Sequence, residues 1–230
     1  MATKPFKAII AGGSIAGLSL ALMLEKNGID FVVLEAYPSI APQAGASIGV
    51  LPNGLRILDQ LGCCDDVVDM AEYPVEKVLF RNSTGTPFWS LEDFGRDMVD
   101  WYVIFPAIFE LVSGITFAYA YSCSHGYPVV FLDRRMLIQI LYDKIGDKSK
   151  VLTSERVVAI ENSLSHVTVT TQTGNSYTGD IVVGADGIHS TVRKQMWQEA
   201  QWTDPTWIDP SEEEGMHAHS FSCLDCQAVS

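Results

Sequence analysis

The first 35 residues constrain the fold more than any other part of the sequence. An apolar run over residues 6–11 leads directly into a glycine-rich turn, and residues 15–26 then carry apolar side chains at helical spacing. A second apolar run, over residues 31–34, ends at Glu35. Strand, glycine turn, helix and strand within about 30 residues predict a βαβ unit with buried, parallel strands.

The glycine turn nearly matches the dinucleotide-binding pattern, in which each of three glycines has its own role. Gly12 stands where the first glycine permits a tight turn, and Gly17 where the third lets helix and strand pack closely. In the usual pattern the second glycine lets the backbone approach a pyrophosphate, and here Ser14 stands in its place. The serine side chain is small, and its hydroxyl can hold a phosphate oxygen at the helix N-terminus. Glu35 lies 18 residues after Gly17, where an acidic residue binds ribose hydroxyls, although it can also be an ordinary strand-end carboxylate. We therefore predict a dinucleotide site.

Periodicity and turn residues predict further elements along the chain. We expect helices over 52–61 and 135–145, hairpins between Glu72 and Trp89, strands over 157–160 and 167–171, a turn at 173–175, and a buried strand over 181–183. The last strands form a β-meander that returns the chain to the parallel core.

Charge and cysteine content exclude several functions. The formal net charge of -13, from 15 basic and 28 acidic residues, leaves no basic stripe for a phosphate backbone, so nucleic acid is not an expected partner. Five cysteines at irregular positions do not form a disulfide framework, and the N-terminus lacks a signal-peptide pattern. We expect an intracellular, non-secreted protein, cytoplasmic or membrane-associated. The isolated pair Cys223 and Cys226 has no second ligand pair, so we predict no metal site.

Three downstream motifs identify the dinucleotide. They are GASIGVLPNGLRILDQLG (45–62), FLDRRMLIQILY (131–142) and VVGADGIHSTVRKQMW (182–197), and their order and spacing resemble those of the aromatic-hydroxylase-like flavoprotein monooxygenases. The amino-acid sequences of the glycine turn and of the first two motifs are most similar to those of fungal FAD-dependent monooxygenases that epoxidise prenyl chains in meroterpenoid and indole-diterpene biosynthesis. That group accepts a serine at the position of Ser14. The resemblance implies an α/β, Rossmann-like FAD/NAD(P)-binding fold of the glutathione-reductase and p-hydroxybenzoate-hydroxylase type, with a partial substrate domain.

The resemblance also implies cofactor-binding roles for eight residues. It assigns Gly12, Ser14 and Gly17 to the pyrophosphate turn, Glu35 to the adenosine ribose, Gly49 to the flavin surroundings, Arg134 to an FAD contact, and Asp186 and Gly187 to the FAD pyrophosphate and nicotinamide cofactor. Arg134 can instead cap or pair on its helix, and Asp186-Gly187 can be a plain strand-to-helix turn. The five histidines are scattered, and we predict no catalytic side chain among them.

The implied reaction is flavin monooxygenation. In this family NADPH or NADH reduces FAD, which activates O2 and transfers one oxygen atom to the substrate. The implied substrate is a small molecule with a prenyl chain, farnesyl or geranylgeranyl, whose alkene becomes an epoxide. Two alternatives stay open: a flavin hydroxylase acting on a phenolic ring, and a non-catalytic remnant of a disrupted gene, since the family's downstream G-D motif and most of its substrate domain are not found.

The predicted domain organisation follows the same resemblance. Residues 1–200 form the FAD-binding domain, interrupted at about 72–125 by a partial substrate-domain segment, and residues 201–230 form a divergent, truncated tail. Residues 111–124 look like an insert, and Val112-Ser113 is what an in-frame splice donor would encode, so a retained intron is one explanation. The apolar run over 105–123 is interrupted by Glu110 and is not expected to span a membrane. Membrane association would require C-terminal segments that the family carries beyond the matched region.

Overall fold

The computed structural model describes residues 5–42, 47–71, 77–92 and 127–204. Within these ranges the elements are, in chain order, β1 (Lys7–Ala11), α1 (Ile15–Lys26), β2 (Asp30–Leu34), β3 (Ser47–Val50), α2 (Pro52–Leu61), α3 (Cys64–Met70), β4 (Lys77–Arg81), β5 (Pro87–Glu92), β6 (Val130–Asp133), α4 (Arg134–Lys144), β7 (Val151–Leu152), β8 (Val157–Asn162), β9 (Val167–Thr171), β10 (Ser176–Gly179), β11 (Ile181–Gly184) and α5 (Thr191–Thr203).

A four-stranded sheet with the order β11-β1-β2-β7 lies at the centre, and all its neighbouring strands run parallel. The predicted βαβ unit is its core: Ile9 on β1 pairs with Val32 on β2 and with Val182 on β11. The α/β, Rossmann-like prediction is therefore confirmed. Parallel strands that follow one another place their carboxyl ends at one edge of the sheet, which is where ligands bind in such folds.

Alternate residues of β1 and β2 enter two separate apolar cores. Ile10 and Val33 pack with α1, α2 and α4 on one face of the sheet. Ile9 and Val32 pack on the other face with residues of β8 and β9. This period of two explains why both strands are apolar after their first residue, where each is buried on both faces.

The predicted strand over 181–183 is present but less buried than predicted. The strand over 181–183 forms as β11, parallel to β1, but the prediction that it is buried was wrong, since Ile181 is 45% exposed. In the described part of the chain β11 is the edge of the sheet, so only one of its sides is paired. An apolar run identifies a strand, and its position in the sheet decides its burial.

Several other elements were missed or shifted, and helix α5 and the short strand β7 are among those not predicted. The β3–β6 pair and the short helix α3 were not predicted. Helix α4 begins one residue before its predicted start, because Asp133 is the N-cap and its carboxylate accepts a hydrogen bond from the backbone N–H of Arg135 at 2.8 Å. A hairpin, β4–β5, begins within the predicted region and extends three residues past its predicted end at Trp89.

Several predictions fall outside the described residues. They are the insert at 111–124 with Val112-Ser113, most of the partial substrate segment at 72–125, the pair Cys223 and Cys226, and the tail from 205 onward. Within the described ranges, no helix combines the length and apolar character needed to cross a bilayer. The same residues contain no group of three or more His, Cys, Asp or Glu side chains placed to hold a metal ion.

Candidate functional site

A cavity of about 390 Å³ opens where β1, β2 and β11 end. This volume lies within the usual range of small-molecule sites, roughly 300–1,000 Å³. The wall comes from segments far apart in sequence, and its charged and hydrogen-bonding side chains include Ser14, Glu35, Arg134, Arg156, Asp186 and His189.

Close backbone packing explains two glycines of the first turn. Gly12 has φ +105°, and a Cβ there would lie 2.3 Å from the carbonyl oxygen of Ala185 at the end of β11. A Cβ at Gly17 would lie 1.9 Å from the carbonyl oxygen of Gly12. Gly12 lines the cavity, whereas Gly17 supports the turn from within α1. Any side chain at either position would push the turn away from the sheet.

Helix α1 begins at the cavity wall with its N-terminal amides uncapped by a side chain. Ser14 is the N-cap, and the first intrahelical bond runs from Leu18 N–H to the Ser14 carbonyl at 2.9 Å. The amides of the three preceding helical residues therefore have no intrahelical acceptor. Neither a Ser14 cap nor an acidic side chain in the first turn occupies this end of the helix. Such a terminus attracts an anion.

The Ser14 hydroxyl contacts Arg134. Its Oγ accepts a hydrogen bond from Arg134 Nη2 at 2.5 Å, across 120 positions of sequence. Ser14 has φ -91°, which any residue adopts, so the backbone needs no glycine at this place. The alternative role of Arg134 as a residue that only pairs along its own helix does not describe the structure, since its guanidinium reaches the glycine turn.

Glu35 is buried at the end of β2, with only 7% of its surface exposed. Its carboxylate accepts hydrogen bonds from the backbone N–H of Gly13 at 2.6 Å and of Tyr37 at 2.8 Å. Each bond uses a different oxygen, so each oxygen keeps acceptor capacity for a ligand hydroxyl. Glu35 therefore supports the turn and also lines the cavity, and its binding of ribose hydroxyls stays a prediction.

Asp186 and Gly187 connect β11 to α5 beside the same cavity. The Asp186 carboxylate accepts hydrogen bonds from Ser190 Oγ at 2.5 Å and from the backbone N–H of Thr191 at 2.7 Å. Gly187 has φ +82°, a left-handed conformation that favours glycine. The strand-to-helix turn that the sequence left open is present, and its residues are part of the cavity wall.

Gly49 lies apart from both the glycine turn and the cavity wall. It lies on β3 opposite Phe131 on β6, and a Cβ there would come within 2.9 Å of the Phe131 ring. It is not part of the cavity wall. Close packing against an aromatic ring explains this glycine, and a place near the flavin stays a prediction.

Sequence reasoning missed two nitrogen-bearing side chains in the cavity wall, His189 and Arg156. His189 was treated as structural although it belongs to the GADGIHS motif, and Arg156 had no local signal at all. Arg156 is held at the cavity by its neighbour Glu155, whose backbone N–H donates to the Glu35 carbonyl at 2.8 Å. The buried Glu155 carboxylate accepts a hydrogen bond from Thr171 Oγ1 at 2.5 Å, and this bond keeps the pKa of Glu155 below its ordinary value.

The arrangement fits a dinucleotide. The open end of α1 and the Arg134 guanidinium suit a diphosphate, while the Glu35 carboxylate suits the hydroxyls of a ribose. The groups that line the cavity can bind and orient such a molecule. The redox chemistry would come from the molecule itself.

Comparison with known proteins gives a consistent result. The domain family described as "FAD binding domain" matches residues 6–212. The FAD-dependent monooxygenase olcE of Penicillium canescens is 42% identical over 224 residues, which are 97% of this chain and 42% of that protein. The FAD-dependent monooxygenase atmM of Aspergillus flavus is 41% identical over 195 residues, 85% of this chain and 35% of that protein. The chain thus spans about two fifths of the length of such curated relatives.

Solved structures share the fold. Klebsiella pneumoniae HpxO, crystallised with FAD and uric acid, superposes with a TM-score of 0.62 at 26% identity, covering 83% of this chain and 41% of that one. The tetrameric form of 2-methyl-3-hydroxypyridine-5-carboxylic acid oxygenase superposes with a TM-score of 0.61 at 26% identity, covering 84% and 43%.

Proposed function

Since this chain belongs to the FAD binding domain family, we propose that it is the FAD-binding part of a flavin-dependent monooxygenase. One observation carries the proposal: the glycine turn, Glu35, Arg134 and the Asp186-Gly187 turn, which are distant in sequence, converge on a single cavity at the carboxyl edge of the parallel sheet. The names of the fungal relatives at 41–42% identity support monooxygenation as the reaction.

The residues of this chain would bind and orient the cofactor. The first turn of α1 and Arg134 would hold the diphosphate, and Glu35 would accept hydrogen bonds from the adenosine ribose. Asp186 would act through α5: by accepting a hydrogen bond from the backbone N–H of Thr191, the first residue of that helix, it fixes the loop in which Gly187 and His189 line the cavity. Bound FAD would supply the redox chemistry, accepting a hydride from NADPH or NADH and activating O2.

We propose a prenylated small molecule as the substrate and epoxidation of its alkene as the outcome. This proposal rests on the sequence motifs GGSIAGL, ASIGVLPNG and DRR, which resemble those of fungal enzymes of terpenoid and meroterpenoid biosynthesis. Because the reductant is a nicotinamide cofactor of the cell, we place the reaction inside the cell, in the cytoplasm or at a membrane surface.

The cofactor proposal is tested by the visible absorption of the purified chain before and after addition of FAD and desalting. We expect bound flavin, with bands near roughly 370 and 450 nm. Arg134→Gln should weaken binding, because its guanidinium lies in the cavity wall, whereas Arg135→Gln one residue further along α4 lies outside that wall and should not. A folded chain that takes up no FAD would overturn the proposal.

The reaction is tested separately with the FAD-loaded chain, NADPH or NADH, and isotopically labelled O2. A farnesylated aromatic substrate and an unprenylated phenol are compared by mass spectrometry. We expect one labelled oxygen atom in the prenyl chain, as an epoxide. Label in the ring of the phenol would instead support the phenolic-ring hydroxylase, and FAD binding without oxygen transfer to either substrate would count against a monooxygenase activity of this chain.

A further inference from the structure

Ser14 uses its side chain in an unusual way for a helix N-cap. A serine at this position ordinarily accepts a hydrogen bond from a backbone N–H two or three residues further on. Ser14 makes no such bond, and the hydrogen bond recorded at its Oγ comes from Arg134. Arginine carries only donors, so the serine oxygen is the acceptor and its own O–H can still donate to a ligand.

Arg134 is fixed at its other end by its own helix. It is the first residue of α4, and the N-cap Asp133 accepts a hydrogen bond from the neighbouring backbone N–H of Arg135 at 2.8 Å. A free arginine side chain loses considerable rotamer entropy when it binds a ligand. Anchoring the guanidinium on Ser14 removes part of that loss before the ligand arrives.

The contact brings two sources of positive charge to one place. The uncapped amides of α1 and the half-buried guanidinium of Arg134 are joined at Ser14, which lines the cavity together with Arg134. If Ser14 capped α1 with its side chain, it would occupy one of these amides. The observed geometry keeps both available for negative oxygens.

We propose that Ser14 is a positioning residue that holds Arg134 against the first turn of α1, so that both bind the diphosphate of FAD. The inference rests on the proposed function and deepens it. It also predicts an effect of Ser14→Gly on FAD binding that is opposite to the one the glycine pattern implies. By that pattern, Ser14→Gly restores the usual second glycine and should leave binding equal or tighter, whereas loss of the Arg134 anchor should weaken it.

The test compares dissociation constants for FAD, ADP and riboflavin, measured by flavin fluorescence and by calorimetry. Ser14→Gly and Ser14→Ala should each weaken FAD and ADP about tenfold, the effect of one charge-assisted hydrogen bond. Riboflavin, which lacks phosphate, should bind unchanged. Ser14→Thr, which keeps the hydroxyl, should restore binding to within about threefold of the wild type.

A double-variant cycle shows whether the effect passes through Arg134. In an Arg134→Gln background, Ser14→Ala should weaken FAD by less than about twofold, since the contact is already lost. Melting temperatures without ligand should stay within about 2 °C, because the Ser14 hydroxyl does not cap α1.

The inference is overturned if Ser14→Gly binds FAD as tightly as the wild type, if Ser14→Thr fails to restore binding, or if Ser14→Ala has its full effect in the Arg134→Gln background. A chain that binds ADP with the expected dependence on Ser14 but does not bind FAD would overturn the proposed function and support the diphosphate role. A folded chain that binds neither FAD nor ADP would overturn both.

Discussion

At the scale of single residues, space decides which small side chains the first turn requires. Gly12 and Gly17 lie against backbone atoms that cannot move without displacing a strand or the turn itself. Ser14, between them, has room for a side chain and uses it to contact Arg134. One motif therefore contains two positions determined by packing and one determined by a distant partner.

Gly17→Ala should lower the free energy of unfolding by about 3 kcal/mol, because the added Cβ would lie 1.9 Å from the Gly12 carbonyl oxygen. Gly54→Ala is the matched control, since Gly54 is likewise the third residue of its helix. Its Cβ would meet only the Val50 side chain, at 3.1 Å, and better helix propensity should keep the change within about 1 kcal/mol. Urea unfolding of both variants measures the difference, and equal losses would contradict this reading of the turn.

Burial should distinguish two glutamates that each accept two backbone N–H bonds. Glu35 binds Gly13 and Tyr37 in the core, whereas Glu25 binds Gly146 and Asp147 at the surface. Glutamine has one acceptor oxygen, so Glu35→Gln should leave one buried N–H without its partner and cost about 1–3 kcal/mol. Glu25→Gln should cost less than about 1 kcal/mol, because water replaces the lost bond. Unfolding free energies that are equal for the two variants would argue against a structural role of Glu35 in the turn.

At the scale of elements, the β-meander is joined to the carboxyl edge of the parallel sheet through Glu155. Its carboxylate accepts hydrogen bonds from Thr171 and Thr173 Oγ1 and from Asn175 Nδ2, at 2.5, 2.9 and 2.7 Å. Its backbone N–H donates to the Glu35 carbonyl. A single acidic residue thus fixes the β9–β10 turn against the strand end that carries the candidate ribose ligand.

This junction should make stability depend on pH in the acidic range. The pKa of Glu155 is lower in the folded chain than its ordinary value, first because of the Thr171 hydrogen bond, so protonation favours the unfolded chain. The stabilisation is fully present above an ordinary glutamate pKa, about 4.3, and is lost as pH falls through the lower folded value. The wild type should therefore melt at a higher temperature than Glu155→Gln at pH 7, and this difference should disappear as the pH is lowered to 3. Glu161→Gln, an exposed change on β8, is the control, and an advantage that is independent of pH would contradict the assignment.

At the scale of the whole molecule, one ligand should stabilise the complete cavity, because its wall joins β1, β2, α4, α5 and the start of β8. FAD at about 100 times its dissociation constant should add about 2.7 kcal/mol to the unfolding free energy. For a chain of this size that corresponds to an increase of roughly 5–10 °C in melting temperature. Scanning calorimetry with FAD and with riboflavin measures it. If riboflavin raised the melting temperature as much as FAD does, the diphosphate and ribose sites would contribute nothing to the stabilisation, which would contradict the proposed site.

Much of the fold was predictable because its signals are local. The βαβ unit follows from two apolar runs around a helical period, and these lie within 35 consecutive residues. The role of Gly17 follows from the turn itself, since its Cβ would meet the Gly12 carbonyl oxygen, and the positive φ of Gly12 is also a local feature, although a Cβ there would meet the distant Ala185 as well. The position of Glu35 beside the turn was predictable as well, because the end of β2 fixes it.

The remaining features depend on which distant segments pack together. The pairing of Ser14 with Arg134 joins residues 120 positions apart, and Arg156 reaches the cavity through Glu155 and the β-meander. The exposed edge position of β11 likewise depends on strand order rather than on its own apolar residues. The sequence by itself determined the parallel α/β core and the dinucleotide turn, because hydrophobic periodicity and the positive φ of a tight glycine turn are set by near neighbours. Only the tertiary structure decided which charges face the cavity and what Ser14 does there, because contacts between distant side chains form only when their elements pack.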